Sequence, residues 1–164
     1  MILIGIGGNL PSPRFGPPRD TLAAALVELE VVGILIAARS AWYRTEPVPQ
    51  SDQPWFVNAV ASLTTHLAAQ DLLAVLQTVE GQFGRVRNHR NAARVLDLDL
   101  LDYRGQVTET ASLVLPHPRL HQRRFVLLPL AEIAPDWRHP LSGFTAEQLL
   151  ARLAEKQLVE RLAC

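Results

Sequence analysis

Between Ile34 and Thr64 the chain offers two β-rich runs, Ile34–Arg44 and Phe56–Thr64, joined only by Thr45–Pro54, ten residues that hold three prolines. A doubly wound parallel sheet would want a crossover helix there and none fits, so the runs are read as neighbouring strands joined by a loop. Upstream, the apolar run Ile2, Leu3, Ile4 and Ile6 ends at Gly7-Gly8-Asn9 and reads as a buried strand entering a tight turn. From Asp20 the spacing of Leu22, Ala25, Leu26 and Leu29 predicts a helix, with Asp20 or Thr21 as its cap. Asp71 opens a second helix with the stripe Leu72, Leu76, Val79 and Phe83, and Gly84 is its stop. Val95–Tyr103 is expected as a strand, Arg123–Ile133 as a helix around Pro129, and Thr145-x-x-Gln148 as a capping box opening the last helix. The order β-α-β-β-α-β with C-terminal additions predicts an α+β fold, a mostly antiparallel sheet packed with helices. At 164 residues, positions 1–164 are expected to form one domain.

Sixteen basic residues balance sixteen acidic ones, which argues against electrostatic capture of nucleic acid or an anionic membrane as the main activity. The single cysteine, Cys164, leaves no disulfide framework within a monomer and no Cys-rich zinc site, and a reducing cytoplasm is the expected compartment. The N-terminal apolar run falls far short of the ~18–20 residues of a membrane span. The neutral total hides a basic middle: residues 84–126 carry eight arginines against four acids, a net +4.

The sharpest chemical signal is Arg94-Val-Leu-Asp97-Leu-Asp99. In a strand, residues i and i+2 project from one face about 6.5–7 Å apart, so Asp97 and Asp99 converge and repel unless a cation lies between them. Leu96, Leu98 and Leu100 take the other face and bury the strand, which favours a hard divalent ion, Mg²⁺ above all, over a solvated edge. Arg85, Arg87, Arg90 and Arg94 precede these carboxylates, and Arg119, Arg123 and Arg124 follow His117. Arginine forks suit phosphate oxygens, so acids and bases in one stretch suggest metal plus polyphosphate. No Walker-type G-x-x-x-x-G-K-[ST] or complete G-x-G-x-x-G is present.

These features occur with Gly7-Gly8-Asn9-Leu10, Tyr43-Arg44-Thr45-Glu46-Pro47, Asp52-Gln53-Pro54-x-Phe56-x-Asn58, Gly84-Arg85-Val86-Arg87 and Pro116-His117-Pro118 through Arg123-x-Phe125. Together they resemble the 6-hydroxymethyl-7,8-dihydropterin pyrophosphokinases of folate synthesis, from Ile4 to about Pro140. The resemblance implies pyrophosphate transfer from ATP to the hydroxymethyl group of the dihydropterin, with AMP released, on a ferredoxin-like β-α-β-β-α-β core. It implies that Asp97 and Asp99 hold two Mg²⁺ ions, that Arg85 and Arg94 face the transferred group, and that His117 and Arg123 add phosphate contacts. Gln77, Glu80 and Arg87 would line the nucleotide side; Phe56 and Phe125 would sandwich the pterin, with Asn58, Thr45 and Val48 at its edge. ATP and the pterin are the expected partners, with no nucleic acid, no membrane and a monomeric chain. The β-α-β-β-α-β order is also that of RNA-recognition modules, but Asp97 and Asp99 would repel a polyanion. Another two-metal nucleotidyl or phosphoryl transferase is the remaining alternative.

Overall fold

The computed structural model describes residues 1–85, 92–154 and 157–164. Its main sheet is built from β1 (Ile2–Gly8), β2 (Leu35–Arg39), β3 (Tyr43–Thr45), β4 (Phe56–Thr64), β5 (Asp97–Tyr103) and β8 (Val159–Arg161). Strand order is β5-β1-β4-β3-β8, with β2 also on β4, and every pairing is antiparallel. Four helices pack on this sheet: α1 (Pro18–Val31), α2 (Ala69–Gln82), α3 (Arg124–Ile133) and α4 (Ala146–Ala151). A β5-β1-β4 core with β2 and β3 beyond it is the ferredoxin-like arrangement, as the element order predicts.

Period-two alternation divides the sheet between two cores. Ile2, Ile4, Ile6, Leu98 and Leu100 face α1 and α2, meeting Leu22, Leu29, Leu72 and Leu76. Leu3, Val60 and Leu101 face α3 and α4, meeting Val126, Leu127, Leu130 and Leu149. On β5 the pairing slips between Leu3 and Ile4, so that Leu3 opposes Asp102 while Ile4 opposes Leu100. This bulge turns Asp102 away from the leucine face of its strand. There its carboxylate accepts the Trp137 indole N–H at 2.7 Å and the Gly105 N–H at 2.9 Å.

Several expectations change. The run Ile34–Arg44 is two strands, because Ser40 interrupts it: its hydroxyl accepts the Val60 N–H at 3.1 Å while donating to the Ala41 carbonyl at 2.8 Å. Neither Asp20 nor Thr21 caps α1. Pro17 and Pro18 start the helix, and the Thr21 hydroxyl instead donates back to the Gly16 and Pro17 carbonyls. The capping box at Thr145 is present with both its bonds. Two short pairings carry no periodicity and escape the sequence reading, the hairpin of β6 (Thr108–Glu109) with β7 (Val114–Leu115) and the docking of β8 on β3. Among the described residues no helix is long and apolar enough to cross a membrane.

Gly7 and Gly8 lie within β1 rather than in a turn, and their role is close approach. A Cβ on Gly8 would lie 2.3 Å from the Val95 carbonyl oxygen, and one on Gly7 would lie 2.5 Å from the Asn58 side-chain oxygen. Backbone cannot yield as a side chain can. Gly8→Ala is therefore expected to destabilise the fold by at least ~2 kcal/mol in a urea titration, and Gly7→Ala by less. Equal stability of Gly8→Ala and the parent would contradict the close packing of β1 on the Val95 segment.

Candidate active site

On the face of the sheet that carries Gly5 and Gly7, the register places Gly7 opposite Asn58 on β4 and opposite Asp97 on β5. Two strand spacings put the Asn58 and Asp97 backbones about 10 Å apart across one glycine. Above this row lies a cleft of about 650 Å³, lined among others by Thr45, Val48, Phe56, Asn58, Phe125, Arg94, Asp97, Asp99 and Arg123. The structure thus brings the carboxylate strand, two phenylalanines and several arginines around one space.

Asp97 is surrounded by cations. Arg85 pairs with it and with the buried Glu80, and Arg94 reaches its second oxygen at 3.1 Å. Burial works against the charge on Arg85, but Asp97 and then Glu80 outweigh it and hold the guanidinium pKa above its usual value. Asp99 is less well served, with Arg123 at 3.6 Å. Desolvation first and repulsion from Asp97 second push its carboxyl up to about 6, against the pull of Arg123, Arg85 and Arg94.

His117 Nε2 lies 4.0 Å from an Asp99 oxygen. Desolvation, and then the Arg123 charge, push the imidazole pKa down to about 4, so at neutral pH it is uncharged and no ion pair forms. Its Nδ1 accepts the Arg119 backbone N–H at 3.1 Å, which leaves the proton on Nε2, facing the carboxylate strand as a neutral donor.

At the opposite end, the Asn58 amide donates to the Thr45 hydroxyl at 2.6 Å. The Arg94 guanidinium lies 5.9 Å from the Phe56 ring centre, and that of Arg123 lies 5.5 Å from the Phe125 ring centre. The arginines of the carboxylate end therefore reach the aromatic walls. Val48 is half exposed at the rim.

Not every candidate lines this cleft. Gln77 is exposed on α2, and Glu80, only 3% exposed, directs its carboxylate to Arg85. Arg85 reaches the site through Asp97, and His117 through the Asp99 side. Arg87, like Arg90 and most of the loop Arg85–Ala93, lies outside the described residues.

Two contributors escape the sequence reading. Asn9, 2% exposed, donates its amide to Gln53 and the Pro54 carbonyl at 3.0 and 2.9 Å while its side-chain oxygen accepts the Arg94 N–H at 2.9 Å. It ties the proline-rich loop to the arginine ahead of the carboxylates. A polar residue directly after a buried strand was the available signal. The second is the C-terminal segment: Leu153, Ala154 and Gln157 line the cleft, and the Gln157 amide donates to the Glu46 carbonyl at 2.9 Å. Nothing in its sequence announces this.

Residues 3–135 match a family model described as 7,8-dihydro-6-hydroxymethylpterin-pyrophosphokinase. The 2-amino-4-hydroxy-6-hydroxymethyldihydropteridine pyrophosphokinase of Synechocystis is 41% identical over 152 residues, covering 92% of this chain and 75% of that one. Proteins of the same description from Methylorubrum extorquens and Pseudomonas aeruginosa are 42% and 41% identical over 151 residues each. Both alignments cover 92% of this chain, and 91% and 90% of those proteins.

The raised carboxyl of Asp99 sets a stability prediction. Its folded pKa of about 6 lies above the ordinary 3.8, so the folded state holds the proton more tightly. The charged form costs stability as pH rises through the window from about 4 to 6. Asp99→Asn is expected to stabilise the metal-free protein by about 1–2 kcal/mol at pH 7.5, a rise of several degrees in Tm, and to give no gain at pH 4. A gain of equal size at both pH values would show that the carboxylate charge is not its source.

Proposed function

The chain belongs to the 7,8-dihydro-6-hydroxymethylpterin-pyrophosphokinase family, and from that premise we propose how its cleft divides the work between two substrates. The activity is transfer of pyrophosphate from ATP to the hydroxymethyl group of 6-hydroxymethyl-7,8-dihydropterin in folate synthesis. The hydroxymethyl oxygen attacks the β-phosphorus, the bond between that phosphorus and the α,β-bridging oxygen breaks, AMP departs with that oxygen, and the hydroxyl proton passes to solvent. Little covalent chemistry falls to the protein, so alignment and charge compensation dominate.

The observation that carries the reading is the row Asn58, Gly7, Asp97 across three strands: an amide at one end, carboxylates at the other, and a glycine keeping the floor between them clear. Phe56 and Phe125 supply apolar faces for a flat heterocycle, while Asn58, held by Thr45, offers an amide for its polar edge. The backbone at Thr45 and Val48 completes that end. At the other end Arg85 and Arg94 converge on Asp97 and compensate charge on the group in transfer. Arg123 and the neutral Nε2–H of His117 hold phosphate oxygens beside Asp99. Gln77, Glu80 and Arg87 are assigned to the nucleotide side, Glu80 acting through Arg85.

Asp97 and Asp99 fit Mg²⁺: both are hard oxygen donors on one strand face, and their mutual repulsion is the condition a cation relieves. Among the described residues no three His, Cys, Asp or Glu side chains group together, so Asp97 and Asp99 would hold the metal with further oxygens supplied by water and phosphate. We assign two ions to the pair; when bound, Mg²⁺ neutralises charge on the ATP phosphates. The chain is assigned to the cytoplasm as a monomer with no nucleic-acid or membrane partner.

The test is incubation of the protein with Mg-ATP and 6-hydroxymethyl-7,8-dihydropterin, with nucleotides separated by chromatography. AMP is expected in step with pterin diphosphate; ADP, or free pyrophosphate with a nucleotidylated product, would overturn the reading. Arg94→Ala is expected to lower kcat by about two to three orders of magnitude while moving pterin KM little, because its contribution grows toward the transition state. Phe56→Ala should do the reverse, raising pterin KM about tenfold or more.

A further inference from the structure

Among the described residues four arginines line the cleft: Arg94, Arg119, Arg123 and Arg124. Two are committed, Arg94 to Asp97 and Arg123 to Asp99. The side chains of Arg119 and Arg124 have neither an acidic partner nor a hydrogen bond among the described residues, although both are half-buried. The third cleft acid, Glu46, does not serve them. Its carboxylate accepts the Leu158 N–H at 2.9 Å and the Gln50 amide at 3.1 Å.

A guanidinium withdrawn from water without a counter-charge costs stability unless an anion arrives. Helix formation does not explain its presence either: Arg123 and Arg124 open α3, which has no side-chain cap and no acid in its first turn. Positive charge at that end opposes the helix dipole. Local rules broken at a cleft point to a ligand.

Position narrows the ligand. Arg124 precedes Phe125, and Arg123 spans from Asp99 to the Phe125 ring. Arg124 thus adjoins an aromatic wall in sequence, while the Arg119 N–H donates to His117 beside Asp99, so the uncommitted pair spans from the aromatic wall to the carboxylate end of the cleft. The acceptor alcohol carries no charge for these forks to bind. After transfer the same molecule carries a diphosphate, which two planar forks suit.

We infer that Arg119 and Arg124 form an anion subsite in the cleft, which takes the diphosphate once it is attached to the pterin. This rests on the functional reading above. The terminal phosphate of ATP shares the same chemistry, and the measurement separates the two sources. The consequence is that this enzyme holds its product more tightly than its acceptor, with an affinity that falls as salt rises.

Calorimetric titrations of the parent and of Arg119→Gln/Arg124→Gln compare four ligands: the pterin diphosphate, the pterin alcohol, α,β-methylene ATP with Mg²⁺, and inorganic pyrophosphate. The double variant is expected to bind the pterin diphosphate about a hundredfold more weakly and to weaken pyrophosphate binding about tenfold or more. The alcohol and the ATP analogue should bind within about twofold of the parent. Arg119→Lys/Arg124→Lys, which keeps charge but not the fork, should recover part of the loss. Unchanged diphosphate affinity, an equal loss for the alcohol, or a loss confined to the ATP analogue would each overturn the subsite. Failure of the functional reading would appear separately, as no pterin-dependent AMP from the parent, and pyrophosphate binding would still decide whether the arginine pair is an anion site.

Discussion

The cleft depends on β1 carrying no side chain at Gly7, where β4 and β5 flank it. Gly7 has Asn58 on one side and Asp97 on the other, and a Cβ there would collide with the Asn58 oxygen. Even a methyl group would push the amide off its bond to Thr45. Gly5 opposes Asp99, and a Cβ there would meet only the Leu101 side chain, at 3.6 Å. The alternate residues Ile2, Ile4 and Ile6 anchor the strand against α1 and α2, so the bare face is held by a fully apolar reverse side. One strand thereby supplies both rigidity and room.

The second organising fact is electrostatic. Two carboxylates on one strand face are tolerated because arginines from separate segments converge on them, Arg85 from the end of α2, Arg94 from the approach to β5, and Arg123 from the start of α3. The compensation is uneven: Asp97 has two close arginines, while Asp99 stays crowded and its carboxyl is held up near 6. Such stored cost is typical of a site built for an ion and a polyanion rather than for the resting fold. Asn9 adds mechanical coupling, since its side chain holds the proline-rich loop and the Arg94 backbone together.

Legibility followed the range of the interactions. Helices α1 and α2 and strands β1, β4 and β5 were readable because period 3.6 or period 2 runs through enough residues to show. The capping box of α4 was readable because both its bonds lie within four residues. The break at Ser40, the bulge at Leu101 and the pairing of β8 with β3 were not, because each is decided by a distant partner: the Val60 backbone, the β1 ladder and Tyr43–Thr45 respectively. Asp102 shows the consequence. Simple alternation puts it with the leucines, whereas the bulge delivers it to Trp137.

Chemistry divides along the same line. The sequence alone determined which chemical groups exist and which neighbours share a face: Asp97 with Asp99, Phe56 with Asn58, arginines clustered around the carboxylate strand. Strand geometry makes those statements local, so no fold is needed to reach them. Only the tertiary structure decided which groups meet across the chain and with what charge: Glu80 turned inward to Arg85, His117 made neutral by burial, the C-terminal segment laid along the cleft, and Arg119 and Arg124 left without carboxylates among the described residues. The physical reason is that burial and Coulomb energy depend on distance in space, and residue order does not encode that distance until the sheet register has set it.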